Sequence, residues 1–312
     1  MSAAKWARAS YTAVMAAQGS RFAVLAALVA NSLIAVAKFI AAAMTGSAAM
    51  LAEAIHSVAD SSNQGMLLWG MAVSKRQGGT THPFGRGKEV YFWSFMVAVM
   101  LFVGGSVFSI QHGISALRHP HEVANFGISV AVLGGALVFE SFSYVVAIKE
   151  FNRARGSRSL WRSVRETKDA ALLVILFEDS AAVAGLVGAL AGVIASHLTG
   201  DPIWDAVASI FIGVLLAIVA FFLAFETKGL LIGEAAGRRD RAAIRARVLA
   251  HRNVEQVDRL LTMQMGPEEI LVNLDVELVD GLSGDEVSQT IEDLEGAIRT
   301  AVPTARNIFV EA

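Results

Sequence analysis

Residues 45–64 have the sequence TGSAAMLAEAIHSVADSSNQ, an apolar stretch interrupted by one histidine and two acidic residues. His56 and Asp60 are four residues apart, so a helix places them on one face with their Cβ atoms roughly 5–6 Å apart. Such a pair either packs two helices together or grips a cation from one side. The setting of the stretch, soluble or membrane, decides between these two interpretations, and within a membrane we favour the cation site.

The composition of the chain indicates a membrane protein. Of its 312 residues, 54% are hydrophobic and only 17% are charged, whereas soluble domains are about a quarter charged. A membrane-spanning helix needs about 20 mainly apolar residues. Six segments meet that length: 22–44, 48–74, 90–116, 125–148, 170–197 and 203–226. The sequence therefore predicts an α-helical membrane protein with six transmembrane helices over 22–228, preceded by an N-terminal arm over 1–21.

The loops differ in charge and so predict an orientation. Loops 75–89 and 149–169 are rich in Lys and Arg, whereas the short loops at 45–47, 117–124 and 198–202 hold one Arg and no Lys. Basic loops favour the cytoplasmic side, so both termini are expected in the cytoplasm. A cleaved signal peptide is not expected. A single chain with six spans and these loops fits a bacterial inner membrane.

The last part of the chain, 229–312, is predicted to be a small cytosolic α+β domain. Residues 240–251 favour a helix, and residues 270–278 alternate apolar and polar side chains as a half-buried strand does. Two more strands are expected at 254–265 and 307–311, and a helix around 287–298. About 75 residues make a small core, so self-association is expected.

Ionisable residues inside the predicted spans need a physical reason, because each costs about 2.5–3.5 kcal/mol at mid-bilayer on insertion scales. They are Lys38, Glu53, His56, Asp60, Glu140, Glu178 and Asp179. Glu178 and Asp179 are adjacent and point about 100° apart on a helix, so only one easily completes a site with His56 and Asp60. The other is open to pairing with Lys38, proton uptake or a water-filled passage. Glu53 is either an acceptor behind His56 or has no role there.

The stretch at 45–64 resembles the second-span signature of the cation diffusion facilitator family. HPFGRGKEVYFWS (82–94), DAVASIFIGVLLA (205–217) and LLIGEA (230–235) resemble its second loop, its sixth span and the junction to its C-terminal domain. The resemblance implies a ferredoxin-like C-terminal domain and a homodimer. It also implies export of a divalent metal from the cytoplasm in exchange for protons.

The resemblance carries over to particular positions. It makes His56 and Asp60 metal ligands on the second span. On the fifth span the family places H-x-x-x-D, and aligning EDSAAVAGLVGALAG (178–192) puts Asp179 at the aspartate and Ile175 at the histidine. One usual ligand is therefore replaced, and Glu178 is the nearest substitute. In the second loop only His82 matches a ligand of the auxiliary site, and a structural role in its turn is equally open.

The sequence also excludes several chemistries. It contains no cysteine, which removes thiolate metal sites and disulfides, and no H-E-x-x-H motif of a metal-dependent hydrolase. We expect no enzyme activity, no cofactor and no nucleic-acid partner. Imidazole and carboxylate ligands suit Zn²⁺ first, with Fe²⁺, Co²⁺ and Mn²⁺ as alternatives. The expected partners are the transported metal, protons, lipid and a second copy of the chain. The alternatives are a proton-coupled exporter of organic cations and a membrane metal receptor without transport.

Overall fold

A computed structural model describes residues 31–76, 78–120, 124–155, 163–164 and 167–312. The predicted N-terminal arm and the start of the predicted first span lie outside these ranges. By contacts between residues the chain forms two compact units. The first unit comprises Met1–Gly65, Met100–Val145 and Glu178–Val219, and the second comprises Met66–Val99, Val146–Phe177 and Ala220–Ala312.

The membrane part consists of long helices at the positions that hydropathy predicts. They are α1 (Asn31–Thr45), α2 (Ala48–Ser74), α3 (Glu89–Arg118), α4 (Phe126–Arg155), α5 (Ala170–Thr199) and α6 (Ile203–Ile232). Among the described residues, four helices, α3 to α6, are long and apolar enough to cross a membrane. Helix α2 has 27 residues and so spans about 40 Å, but it carries the charged residues of the predicted second span. The predicted class, a helical membrane protein with a small C-terminal α+β domain, is confirmed.

Helix α3 contains a turn that the sequence analysis did not predict. Residues Leu101–Val107 form a π-helix between two α-helical parts. A π turn holds an extra residue, which changes the direction in which later side chains point. Hydropathy is insensitive to this change because both parts of α3 are equally apolar.

In the first unit, α3 and α6 approach closely at glycines. A Cβ atom on Gly213 would lie 2.6 Å from Ile110 Cγ1 and 2.9 Å from the Ser106 carbonyl oxygen. Gly113 faces α6 in the same way, with Ile210 Cγ1 at 2.6 Å from its ideal Cβ position. The Ser209 hydroxyl also donates to the Ser109 carbonyl oxygen at 2.9 Å. Small residues at such positions are what let membrane helices pack closely.

Replacing Gly213 with Ala is expected to destabilise the protein by about 1–3 kcal/mol, because the added methyl group meets backbone atoms that cannot move aside. Gly134→Ala on α4 is the matched control, since nothing lies within 4 Å of its Cβ position. That change should raise helix stability by up to about 1 kcal/mol. Thermal unfolding in detergent micelles measures both. Equal melting temperatures for the two variants would contradict this account of the α3–α6 contact.

The C-terminal domain belongs to the second unit and has the predicted order of elements. Helix α7 (Arg238–Leu249) is followed by β1 (Val254–Gly266), β2 (Glu269–Leu278), helix α8 (Gly284–Ala301) and β3 (Ala305–Glu311). The sheet order is β1-β2-β3, with β1–β2 antiparallel and β2–β3 parallel. Alternate residues of β2 form the core with the two helices. The Ser283 hydroxyl accepts from the Glu286 N–H, and the Glu286 side chain accepts from the Ser283 N–H, so a capping box starts α8. The predicted domain boundaries at 21/22 and 228/229 remain predictions.

Candidate metal-binding site

Helix α2 places His56 and Asp60 together inside the first unit. His56 Nδ1 lies 3.4 Å from Asp60 Oδ1, and the two side chains are 1% and 10% exposed. Within the described residues, neither ring nitrogen of His56 nor Asp60 Oδ1 has a hydrogen-bond partner. Buried polar atoms without partners are costly. Their lone pairs are therefore available to a cation.

Glu178 on α5 is the acidic residue that faces this pair. Its Oε1 accepts a hydrogen bond from Asn63 Nδ2 at 2.8 Å, and Asn63 is on α2. The Glu178 and Asp60 carboxyl groups are within hydrogen-bonding range of each other. Helices α2 and α5 thus bring an imidazole, two carboxyl groups and an amide into one buried cluster.

Asp179 points in another direction, as adjacent helical residues must. Its Oδ2 accepts from the Ser143 hydroxyl of α4 at 3.2 Å, and Glu140, one turn earlier on α4, is also near it. In the described parts of the chain, no three His, Asp or Glu side chains converge as ligands of one ion. The predicted ligand set of His56, Asp60, Asp179 and Glu178 therefore remains a prediction.

Lys38 has a different partner from the one considered for it. Its ammonium group donates to Glu53 Oε2 at 3.1 Å and to the Ser57 hydroxyl at 2.7 Å. Lys38 therefore pairs with an acid of α2, not with the second carboxylate of α5. Glu53 in turn binds Lys38 and does not accept from His56, which corrects the suggestion that it orients the imidazole. Sequence distance could not decide this, because Lys38 and Glu53 belong to different helices.

His82 lies in an exposed turn of the second unit. Its backbone exchanges two hydrogen bonds with Gly79, each 3.1 Å long, and its Nδ1 lies 3.0 Å from the Thr81 hydroxyl. The loop then packs on the C-terminal domain, since a Cβ atom on Gly87 would lie only 2.4 Å from the Met265 carbonyl oxygen. These contacts account for the shape of the H-P-F-G turn. Metal binding by His82 stays a prediction.

Asp205 is a positioning residue whose role the sequence analysis did not predict. Its carboxylate, on the first turn of α6, accepts from the Ser47 hydroxyl and from the N–H groups of Ala48 and Ala49. Ser47 itself accepts from the Met50 N–H at 3.0 Å. The first N–H groups of a helix have no partners within it. Asp205 and Ser47 together supply these partners for α2, the helix that carries His56 and Asp60.

Comparison with known proteins agrees with this arrangement of apolar helices around buried ionisable groups, which is that of a membrane protein handling cations. The model of the cation efflux transmembrane domain matches residues 24–232, more than half of the chain. The chain belongs to the cation efflux family, as its resemblance to cation diffusion facilitators predicted.

Relatives at moderate identity extend the comparison. "Proton-coupled zinc antiporter SLC30A9, mitochondrial" is 35% identical in Mus musculus over 212 residues, which cover 67% of this chain and 37% of that protein. The human protein of that name is 35% identical over 227 residues, covering 72% and 40%. "Metal tolerance protein C4" of Arabidopsis thaliana is 35% identical over 233 residues, covering 73% and 50%. The chain thus spans about two fifths to half of the length of these relatives.

These relatives contradict the predicted location. The prediction of a bacterial inner membrane is wrong, because the mouse and human relatives are named as mitochondrial and another relative comes from a plant. The physical argument behind it was too weak. The distribution of Lys and Arg biases the orientation of spans in a membrane, but it does not identify the membrane.

Proposed function

We propose that the protein moves a divalent metal ion, Zn²⁺ first among the candidates, across a membrane in exchange for protons. The observation that supports this most is the buried cluster of His56, Asp60 and Glu178 on two membrane helices, with lone pairs that lack partners. The names of the mouse and human relatives, which specify a proton-coupled zinc antiporter, support the same metal and the same coupling.

The ligand types supply a reason for proton exchange. Imidazole and carboxylate groups hold a metal only when they are deprotonated, so metal and protons compete for the same atoms. A site that opens alternately to the two sides therefore releases metal where it takes up protons. Imidazole, which titrates at about pH 6.5 when unperturbed, suits this exchange. No enzyme activity is proposed, and a second copy of the chain remains the expected partner.

Asp60→Ala is expected to abolish metal transport, because it removes a ligand and leaves the His56 imidazole without its neighbour. The purified full chain is placed in proteoliposomes with an imposed pH gradient, and uptake of Zn²⁺, Fe²⁺, Co²⁺ and Mn²⁺ is measured. Loss of a residue that merely supports a ligand costs 10–100-fold, so flux should fall by more than about 100-fold. Glu255→Ala, which removes an exposed carboxylate of β1, is the control and should transport normally.

Two outcomes would contradict the proposal in different ways. Undiminished flux in Asp60→Ala would remove the proposed site while leaving transport intact. No flux of any of the four metals by the parent protein would remove metal transport. An exporter of organic cations or a receptor without transport would then be favoured.

A further inference from the structure

The buried cluster lacks a fourth ligand, and this inference rests on the proposed function. His56, Asp60 and Glu178 offer three side chains, whereas Zn²⁺ sites usually hold four ligands. One turn before Asp179, where the family has a histidine, this chain has Ile175, which has no lone pair to offer. We propose that Asn63 completes the site. Its amide nitrogen holds Glu178, and its amide oxygen, Oδ1, binds the metal.

The position of Asn63 supports this role. It follows Asp60 by three residues and His56 by seven on α2, spacings that keep all three on one helical face. Its side chain is fully buried. Asn63 is therefore part of the same stripe as the two predicted ligands and not of the lipid-facing surface.

The hydrogen bond of Asn63 determines which way its amide points. Asn63 Nδ2 donates to Glu178 Oε1 at 2.8 Å. An ionised carboxylate only accepts hydrogen bonds, so the NH₂ group must face Glu178 and the carbonyl oxygen must point elsewhere. In the described part of the chain, Asn63 Oδ1 is buried and has no hydrogen-bond partner, as are His56 Nε2 and Asp60 Oδ1. One helical face thus presents three acceptor atoms without donors.

Other buried atoms without partners do not compare with Asn63. Several are serine hydroxyls, whose hydrogen can rotate towards a carbonyl of the preceding helical turn. Glu53 Oε1 belongs to a carboxylate that Lys38 already neutralises. The amide oxygen of Asn63 has neither remedy, because its NH₂ group is engaged by Glu178. A cation near Asp60 satisfies it.

This assignment makes Asn63 a residue that determines metal specificity. With Asn63, the site offers one nitrogen and three oxygens in place of a second imidazole. Oxygen ligands suit Mn²⁺ better than they suit Zn²⁺, whereas imidazole suits Zn²⁺. The inference therefore predicts that the parent protein carries Mn²⁺ as well as Zn²⁺, and that the identity of residue 63 changes their ratio.

The test measures proteoliposome uptake of Zn²⁺ alone and Mn²⁺ alone by variants of the full chain. Asn63→Leu keeps the shape and removes both polar atoms, and it should weaken the apparent affinity for both metals by about 10-fold or more. Asn63→His supplies a nitrogen ligand and should raise the ratio of Zn²⁺ to Mn²⁺ flux by about 10-fold. Gln64→Leu, the same kind of change at the next residue of α2, should leave both fluxes unchanged.

The outcomes separate this inference from the proposed function. Asn63→Leu with parental affinity for both metals would overturn the inference. So would equal losses of both metals in Asn63→His with an unchanged melting temperature, because a residue that only positions Glu178 has no effect on the ratio. If Asp60→Ala loses flux in the same preparation, the proposed function stands even when the role of Asn63 fails. If Asp60→Ala keeps its flux, the site itself fails.

Discussion

Lys38→Met is expected to lower the free energy of unfolding by about 3–5 kcal/mol, the usual result of removing one member of a buried ion pair. The ammonium group of Lys38 lies 3.1 Å from Glu53 Oε2, and the two side chains are 1% and 0% exposed. Without Lys38 the Glu53 carboxylate keeps its burial and loses its positive partner, and the Ser57 hydroxyl loses a donor. Thermal and denaturant-induced unfolding of the purified protein in detergent micelles measures the change.

Two further variants show whether the charge pair causes the loss. The double variant Lys38→Met with Glu53→Gln removes both charges and should be more stable than Lys38→Met alone. Arg299→Met breaks an exposed pair on α8, where Arg299 Nη2 lies 2.9 Å from Glu295 Oε2; the cost there should stay below about 1 kcal/mol. A Lys38→Met protein as stable as the Arg299→Met protein would contradict a structural role for the buried pair.

Asp205→Ala is the second large effect we expect, a loss of about 2–4 kcal/mol. Hydrogen bonds to a charged group contribute about 1.5–3 kcal/mol each in favourable cases, and Asp205 accepts from Ser47, Ala48 and Ala49 at the start of α2. Its removal leaves buried N–H groups without an acceptor and detaches α2 from α6. Because α2 carries His56 and Asp60, Zn²⁺ flux should fall together with stability.

Asp201→Ala is the matched control for Asp205. Asp201 Oδ1 accepts from the Ile203 N–H at 2.9 Å and is exposed, so it caps only its own helix. Loss of an ordinary cap costs about 1 kcal/mol. Asp205→Asn, which keeps one oxygen acceptor and no charge, should fall between the two. Equal losses in Asp201→Ala and Asp205→Ala would show that the link between α2 and α6 contributes nothing beyond a local cap.

Features that depend on one helix or strand could be predicted from the sequence. The bounds of α2 and α5 and the buried face of β2 follow from hydropathy and alternation, which are properties of neighbouring residues. The approach of His56 to Asp60 likewise needs only the pitch of a helix. Each of these predictions concerns residues close together along the chain.

Contacts between helices could not be predicted in the same way. Asn63 and Glu178 are 115 residues apart, and their meeting depends on how far α2 and α5 are rotated about their axes. The same rotation decides that Glu178 faces α2 while Asp179 faces Ser143. Asn63 itself could have been found, since it lies on the face of His56 and Asp60. Its amide drew no attention because the search was for histidines and acids.

The cap that Asp205 provides also implies an order of events during biosynthesis. Chains are made from the N-terminus and fold largely in that direction, yet Ser47 waits for a carboxylate that lies 158 residues later. Until α6 has been made and inserted, the first turn of α2 lacks its final acceptor. The helix that carries His56 and Asp60 is thus completed by the last membrane helix to arrive. A chain shortened before Asp205 keeps the sequence of the site and lacks the anchor of its main helix.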